Sequence, residues 1–216
     1  MDKYPFFARA TLRVLRKKNK KRNITGKPPN EPCVFLCRHR DANGVIWAFT
    51  DIDRAIRPWV LNCFCEYKDA RFQLKNYTFS KRLKKGKLFC FFFAPICARI
   101  IVSYVNGVQG IPVYRNENAG RSISTIKQTV KALEEGDSVL IFVDKDYENT
   151  EEQNYGDIYK GFYAVDKLYE KRNGKHIPFV PIYANKDGSK IHEPIYFENA
   201  KSEEFYEKII YGIYNP

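Results

Sequence analysis

Three apolar runs in this chain end in residues that move protons or hold phosphate. The run 33–37 (CVFLC) ends at Arg38-His39-Arg40-Asp41, the run 108–114 ends at Arg115, and 138–143 (SVLIFV) ends at Asp144-Lys145-Asp146. A neutral imidazole is the usual general base for a hydroxyl near neutral pH. His39, one of 3 histidines, is therefore the sharpest catalytic candidate. Its plainer alternative is a histidine that caps a helix or bonds a backbone carbonyl. A guanidinium grips two phosphate oxygens at once, so Arg115 is a candidate phosphate ligand, with a surface salt bridge to Glu117 as the plain alternative. Lys160, just before Gly161, is a further cation for phosphate or else a solvated loop lysine. Cys37 and His39 share one face of a strand, which opens a covalent Cys–His route. A buried thiol is usually inert, so the histidine alone takes precedence.

The elements that must position these residues follow from periodicity. Residues 4–20 read as an amphipathic helix: Tyr4, Phe7, Ala8, Thr11, Leu12 and Leu15 on one side, Arg9, Arg13, Arg16, Lys17 and Lys20 on the other. It either docks on its own domain or lies in a lipid headgroup layer, and the basic run through Arg22 favours the lipid. The stretch 26–32 (GKPPNEP) is a breaker. Strands are expected at 33–37, 58–65, 108–114, 138–143, 177–183 and 190–197, and helices at 45–49 onward, 69–82, 119–135, 162–172 and 201–214. The run 88–105 is almost uncharged and, at eighteen residues, borders on transmembrane length. Pro95 and Arg99 inside it favour a buried or interfacial helix-turn-helix. Strands alternating with helices predict a single-domain α/β sandwich with a mixed, mostly parallel sheet and an N-terminal amphipathic helix. Functional groups in such sheets lie past the carboxyl ends of strands, so a His, an Arg and a carboxylate can share a pocket.

The order of these features resembles the glycerolipid (lysophospholipid) acyltransferase family, of the 1-acyl-glycerol-3-phosphate acyltransferase kind. In that family a histidine is followed five residues later by an aspartate, then come G-x-x-x-x-R, F-P-E-G-T-R and an apolar V-P-I segment. Here His39 stands in the first motif, Gly110-Ile-Pro-Val-Tyr-Arg115 matches the second in full, Phe142-Val-Asp144-Lys145-Asp146 lies at the third, and Lys160-Gly161 and Val180-Pro181-Ile182 match later landmarks. The resemblance covers about residues 31–197. It departs in the first and third motifs: Gly44 stands where the aspartate is expected, and Asp144-Lys145 replaces the glutamate and the arginine. The resemblance implies that His39 takes a proton from an acceptor hydroxyl, which attacks an acyl thioester, with Asp41 as the replacement orienting carboxylate. It also implies that Gly110, Arg115, Asp144, Lys145 and Lys160 bind the acceptor phosphate and line the site. No metal or cofactor enters; acyl-CoA or acyl carrier protein is the co-substrate. Residues 1–30 form a basic, membrane-associating segment and 31–216 the acyltransferase-like domain.

The formal charge of +12, with 29% charged and 44% hydrophobic residues, describes a globular chain with a polyanionic partner. An anionic membrane surface is expected, beside a lysophospholipid acceptor and an acyl thioester donor. Nucleic acid would also explain the charge, but no RNA-recognition or zinc-finger signature is present, so no nucleic acid is expected. Arg9 and Arg13 interrupt the early apolar stretch, which argues against a signal peptide. The six cysteines read as thiols in a reducing compartment, and their spacing is poor for zinc. The expected location is the cytoplasmic face of a membrane, peripheral or monotopic. The alternative function is a catalytically weakened member that binds anionic lipid.

Overall fold

The computed structural model describes residues 4–19, 21–39, 41–114, 119–144, 158–197 and 202–216, with backbone alone at 41, 42, 119 and 202. Seven strands, β1 (Asn23–Thr25), β2 (Val34–Cys37), β3 (Ile56–Leu61), β4 (Ile111–Val113), β5 (Ser138–Phe142), β6 (Phe179–Ala184) and β7 (Gly188–Ile191), form one sheet in the order β1-β7-β6-β2-β5-β3-β4. Neighbours pair in parallel except β6 with β7. The central strands are apolar at nearly every position and buried on both faces, the signature of a covered parallel sheet. Alternate residues feed two cores. Leu36, Val139 and Ile141 face α5 (Ala119–Glu134), α6 (Tyr163–Asn173) and α7 (Ser202–Tyr214), while Phe35, Cys37 and Leu140 face α1 (Phe6–Lys18) and α2 (Asp41–Asp51). The chain is thus a single α/β domain with a mixed, mostly parallel sheet and an N-terminal helix, as the alternation of elements predicts.

Tyr4, Ala8 and Leu12 of the α1 stripe are buried in the second core. The Tyr4 hydroxyl donates to the carbonyl of Ile56 at 2.6 Å and accepts from its N–H at 2.5 Å. It serves the first residue of β3, where pairing with β4 has not begun. Beyond α1, Arg22 and Asp51 form an ion pair at 2.9 Å with side chains only 6% and 4% exposed. Ser189 also donates to Asp51 at 2.6 Å, and Arg22 donates to the Gly188 carbonyl at 2.8 Å. The pair ties the β1–β7 edge to the end of α2. Asp51→Ala strands a buried guanidinium, so urea unfolding should show a loss of about 3–5 kcal/mol.

The structure departs from the expected elements in several places: the strand expected at 58–65 is Ile56–Leu61 followed by a 3-10 turn at Asn62–Phe64, and the one expected at 108–114 is only Ile111–Val113, Val108 ending α4. β1 was not legible: Asn-Ile-Thr is exposed throughout and carries no apolar signal. The last strand ends at Ile191, and only an isolated bridge from Ile195 to Phe179 continues it. The helix after β2 starts at Asp41, inside what reads as a polar turn. Finally, the apolar run is not a helix-turn-helix but one helix, α4 (Lys87–Gly107), with Pro95 inside it. Its Cys90, Ala94 and Ala98 recur every fourth residue and pack on Ala70, Leu74 and Phe79. Small side chains at that spacing let a second helix lie along α4, which favours a continuous helix over a turn. That second limb is α3 (Tyr67–Gln73) running into a π-helical stretch, Leu74–Arg82. The two limbs form a helical hairpin inserted between β3 and β4.

Candidate active site

The site follows from strand register. Cys37 of β2 lies opposite Phe142 of β5 in a parallel pair, so two residues further on His39 comes opposite Asp144. The backbone N–H of His39 donates to both Asp144 oxygens, at 2.8 and 3.0 Å. The His39 ring packs edge-on against Phe142, with centroids 5.3 Å apart and planes at 68°. Asp144 is itself 9% exposed and bridged to Ile158. Burial raises its pKa above the ordinary carboxylate range. The N–H groups of His39 and of Asp144 itself, and then the charges of His39 and Arg38, offset part of that. A buried carboxylate therefore fixes the backbone of the candidate base and acts on its charge through space.

Gly44 is the second feature of this corner. A Cβ there would overlap the carbonyl oxygen of His39 and lie 2.7 Å from its carbonyl carbon and 2.9 Å from the carbonyl oxygen of Arg38. The loop carrying His39 is thus seated directly on the first turns of α2. Glycine inside a helix costs about 1 kcal/mol relative to alanine, and here the close approach of two backbones requires it. No aspartate fits at this position on this backbone.

Arg38, the residue before His39, is 8% exposed, with its guanidinium 4.1 Å from the ring centroid of Tyr214. It pins the end of α7 to the carboxyl edge of the sheet. Sequence reading placed Arg38 in the strand-end turn and Gly44 at the expected aspartate position, but gave neither its structural role. The alternation of faces along β2 was the available signal for Arg38, whereas Gly44 required knowing that α2 begins at Asp41.

The other candidates fall in different places. Lys160 is exposed, in the turn after Ile158, with its ammonium 4.6 Å from the Tyr206 ring. Gly110 immediately precedes β4, level with Pro58 of β3, and a Cβ there would meet Val105 and Val60 at 2.9 and 3.2 Å. It serves packing there. Arg115 and Lys145 lie outside the described residues, as does the side chain of Asp41. Asn43 is exposed. The Cys37 thiol is buried and directed at the Arg38 carbonyl, 3.5 Å away.

A second polar cluster sits at the amino edge. Asp166, Glu170 and His176 bring ligand-type atoms within 4.8 Å of one another. His176 Nδ1 is 2.8 Å from Asp166, whose other oxygen accepts from the N–H of Ile177 at 2.9 Å. These bonds join the end of α6 to the entry of β6, and residues separated in sequence by a helix terminus gave no spacing that would reveal them.

The Asp144 geometry sets a test. Asp144→Ala leaves a partly buried N–H without its acceptor and should cost about 1–3 kcal/mol, whereas Asp144→Asn keeps one acceptor and should stay within about 1 kcal/mol of wild type. Because burial raises the folded-state pKa above the unfolded value, the folded chain holds the extra proton between the two. This group therefore favours the fold at low pH, and its contribution falls as pH rises through that window. Urea midpoints across that range should decline with pH in wild type more than in Asp144→Asn.

No protein-family model matches the chain, and no curated protein matches it in sequence. Among solved structures it is similar to the 1-acyl-sn-glycerophosphate (LPA) acyltransferase PlsC from Thermotoga maritima, at 11% identity and a TM-score of 0.49, over 94% of this chain and 76% of that one.

Proposed function

We propose that the chain is an O-acyltransferase that moves a fatty acyl group from an acyl thioester to the hydroxyl of a lysophosphatidic acid-like glycerophospholipid. The observation that carries this reading is His39 anchored to the buried carboxylate of Asp144 across adjacent parallel strand ends. It stands within a motif order that resembles the glycerolipid acyltransferases. In the proposed reaction the His39 imidazole takes the acceptor proton, and the oxygen attacks the thioester carbonyl of acyl-CoA or acyl carrier protein. The C–S bond then breaks, and the thiolate leaves with the proton returned from His39. Asp144 supports the imidazolium formed on the way, the role its family counterpart fills from a different position. Arg115, Lys145 and Lys160 are the proposed cations for the acceptor phosphate.

The chemistry requires no metal or bound cofactor, so chelation should leave the rate unchanged. Asp144→Asn should lower turnover at least about tenfold with the fold intact, which separates charge support from structure. A second reading, a lipid-binding protein without turnover, is favoured by Gly44 at the family's aspartate position. It predicts binding of lysophosphatidic acid with no acyl product from either donor.

A further inference from the structure

The helical hairpin of α3 and α4 presents a surface that the sheet does not need. By length and composition α4 could cross a membrane, yet only 22% of its most apolar window is buried. Leu88 is 73% exposed and Phe92 57%, with Phe91, Phe93, Ile96 and Ile100 likewise outside. At 100° per residue these positions cover roughly 200° of the helix circumference. A helix on a soluble domain buries its apolar arc, whereas this one turns it outward. Phe72 of α3 is likewise exposed, at 69%.

Three observations identify what covers it. First, the hairpin from Glu66 to Gly107 carries nine Lys and Arg against two Asp and Glu, which is seven of the chain's twelve net charges. Lys81, Arg82, Lys84, Lys85 and Lys87 are exposed together at its tip. Second, the other limb is polar: Lys68, Asp69, Arg71 and Lys75 of α3 and its π-helical extension are exposed. A hairpin with one polar limb and a lysine tip does not cross hydrocarbon. It is a slab with one apolar face and a cationic rim, shaped to lie in the plane of an anionic lipid surface. Third, the hairpin is anchored at the opposite end. Gly107 packs on Pro5 and Ala8 near the start of β3, while Arg99 lies over the ring of Tyr67, just past the end of β3, at 5.5 Å. At about 1.5 Å per residue, the stretch from Lys87 to Ala98 therefore extends roughly 18 Å further along the hairpin, on the side away from the Gly107 anchor, toward the end of the sheet that holds His39.

We infer that the α3–α4 hairpin is a monotopic docking element. It embeds the outward face of α4 in the interfacial layer of an anionic phospholipid bilayer, with the tip lysines on lipid phosphates, and holds the carboxyl edge beside that surface. Docking stands on the hairpin alone. Its use, lateral delivery of a lipid acceptor to His39, rests on the acyl-transfer reading.

The test uses the full chain with vesicles of phosphatidylcholine, alone or mixed with phosphatidylglycerol. Wild type should sediment with the mixed vesicles and release at high salt, and Phe91→Glu/Phe92→Glu should weaken binding about tenfold or more. With brominated lipid, Phe92→Trp should be quenched well beyond the native tryptophans and Ile123→Trp, on the exposed side of α5, should not. The quenching pair decides the matter even if the double glutamate variant misfolds. Absent vesicle binding, unchanged binding by the double variant, or quenching at 123 instead of 92 overturns the inference. So does a concentration-dependent dimer that Phe92→Glu dissolves, which would assign the face to a second copy. Docking and catalysis fail separately: His39→Ala should bind vesicles as wild type does, and the double glutamate variant should still acylate a short-chain acceptor dissolved as monomer.

Discussion

Gly44→Asp, which would place an aspartate five residues after His39, should destabilise the chain by about 3 kcal/mol or more and raise no activity. The reason is steric. Any Cβ at 44 overlaps the carbonyl of His39, and the groups it meets are backbone rather than a side chain able to swing aside. Relief would require the His39 loop to lift off α2, which would also break its bonds to Asp144. Gly44→Ala carries the same Cβ without the charge and should lose a comparable amount. Calorimetry or urea unfolding checks both variants. A stable Gly44→Asp protein with raised turnover would mean that the loop adapts and that an aspartate at this spacing can serve His39. Loss in both variants would show that the close approach at residue 44, rather than the added charge, sets the cost.

The second large effect is His39→Ala. If the imidazole is the general base, acyl transfer should fall by about 10²–10⁴. The fold should lose little, since the ring is partly buried and its edge-on packing against Phe142 is worth about 0.5–1.5 kcal/mol. The backbone N–H that binds Asp144 remains in the variant, so the β2–β5 corner keeps its form. Unchanged circular dichroism and an unchanged unfolding midpoint, beside the lost rate, separate chemistry from collapse.

The fold was legible where residues repeat with a strong period. β2, β5 and β6 are continuous apolar runs, and α5 and α7 match their expected spans to within a residue. Their burial on two faces needs no information from elsewhere in the chain. β1 was illegible because its pairing with β7 depends on backbone, and its side chains stay in water. Pro95 suggested a turn, but the row of Cys90, Ala94 and Ala98 against α3 decided for a helix, a tertiary fact that no local rule supplies. In the site, His39 and Asp144 were each visible as polar residues ending apolar strands. That they meet follows only from strand order and register, in which β5 lies beside β2. Gly110 illustrates the reverse. Its motif match is complete, yet the glycine sits just before β4 where the close approach of Val105 and Val60 leaves no room for a Cβ, a packing role that the motif alone does not reveal.

The most direct test is acyl transfer by the purified chain from a long-chain acyl thioester, offered as acyl-CoA and as acyl carrier protein, to lysophosphatidic acid on anionic vesicles, with wild type and His39→Ala in parallel. The account predicts phosphatidic acid from the wild type and a loss of about 10²–10⁴ in rate for the variant. Product formed equally by both would contradict His39 as the base, and no product from wild type with either donor, while vesicle binding persists, would contradict the acyltransferase itself.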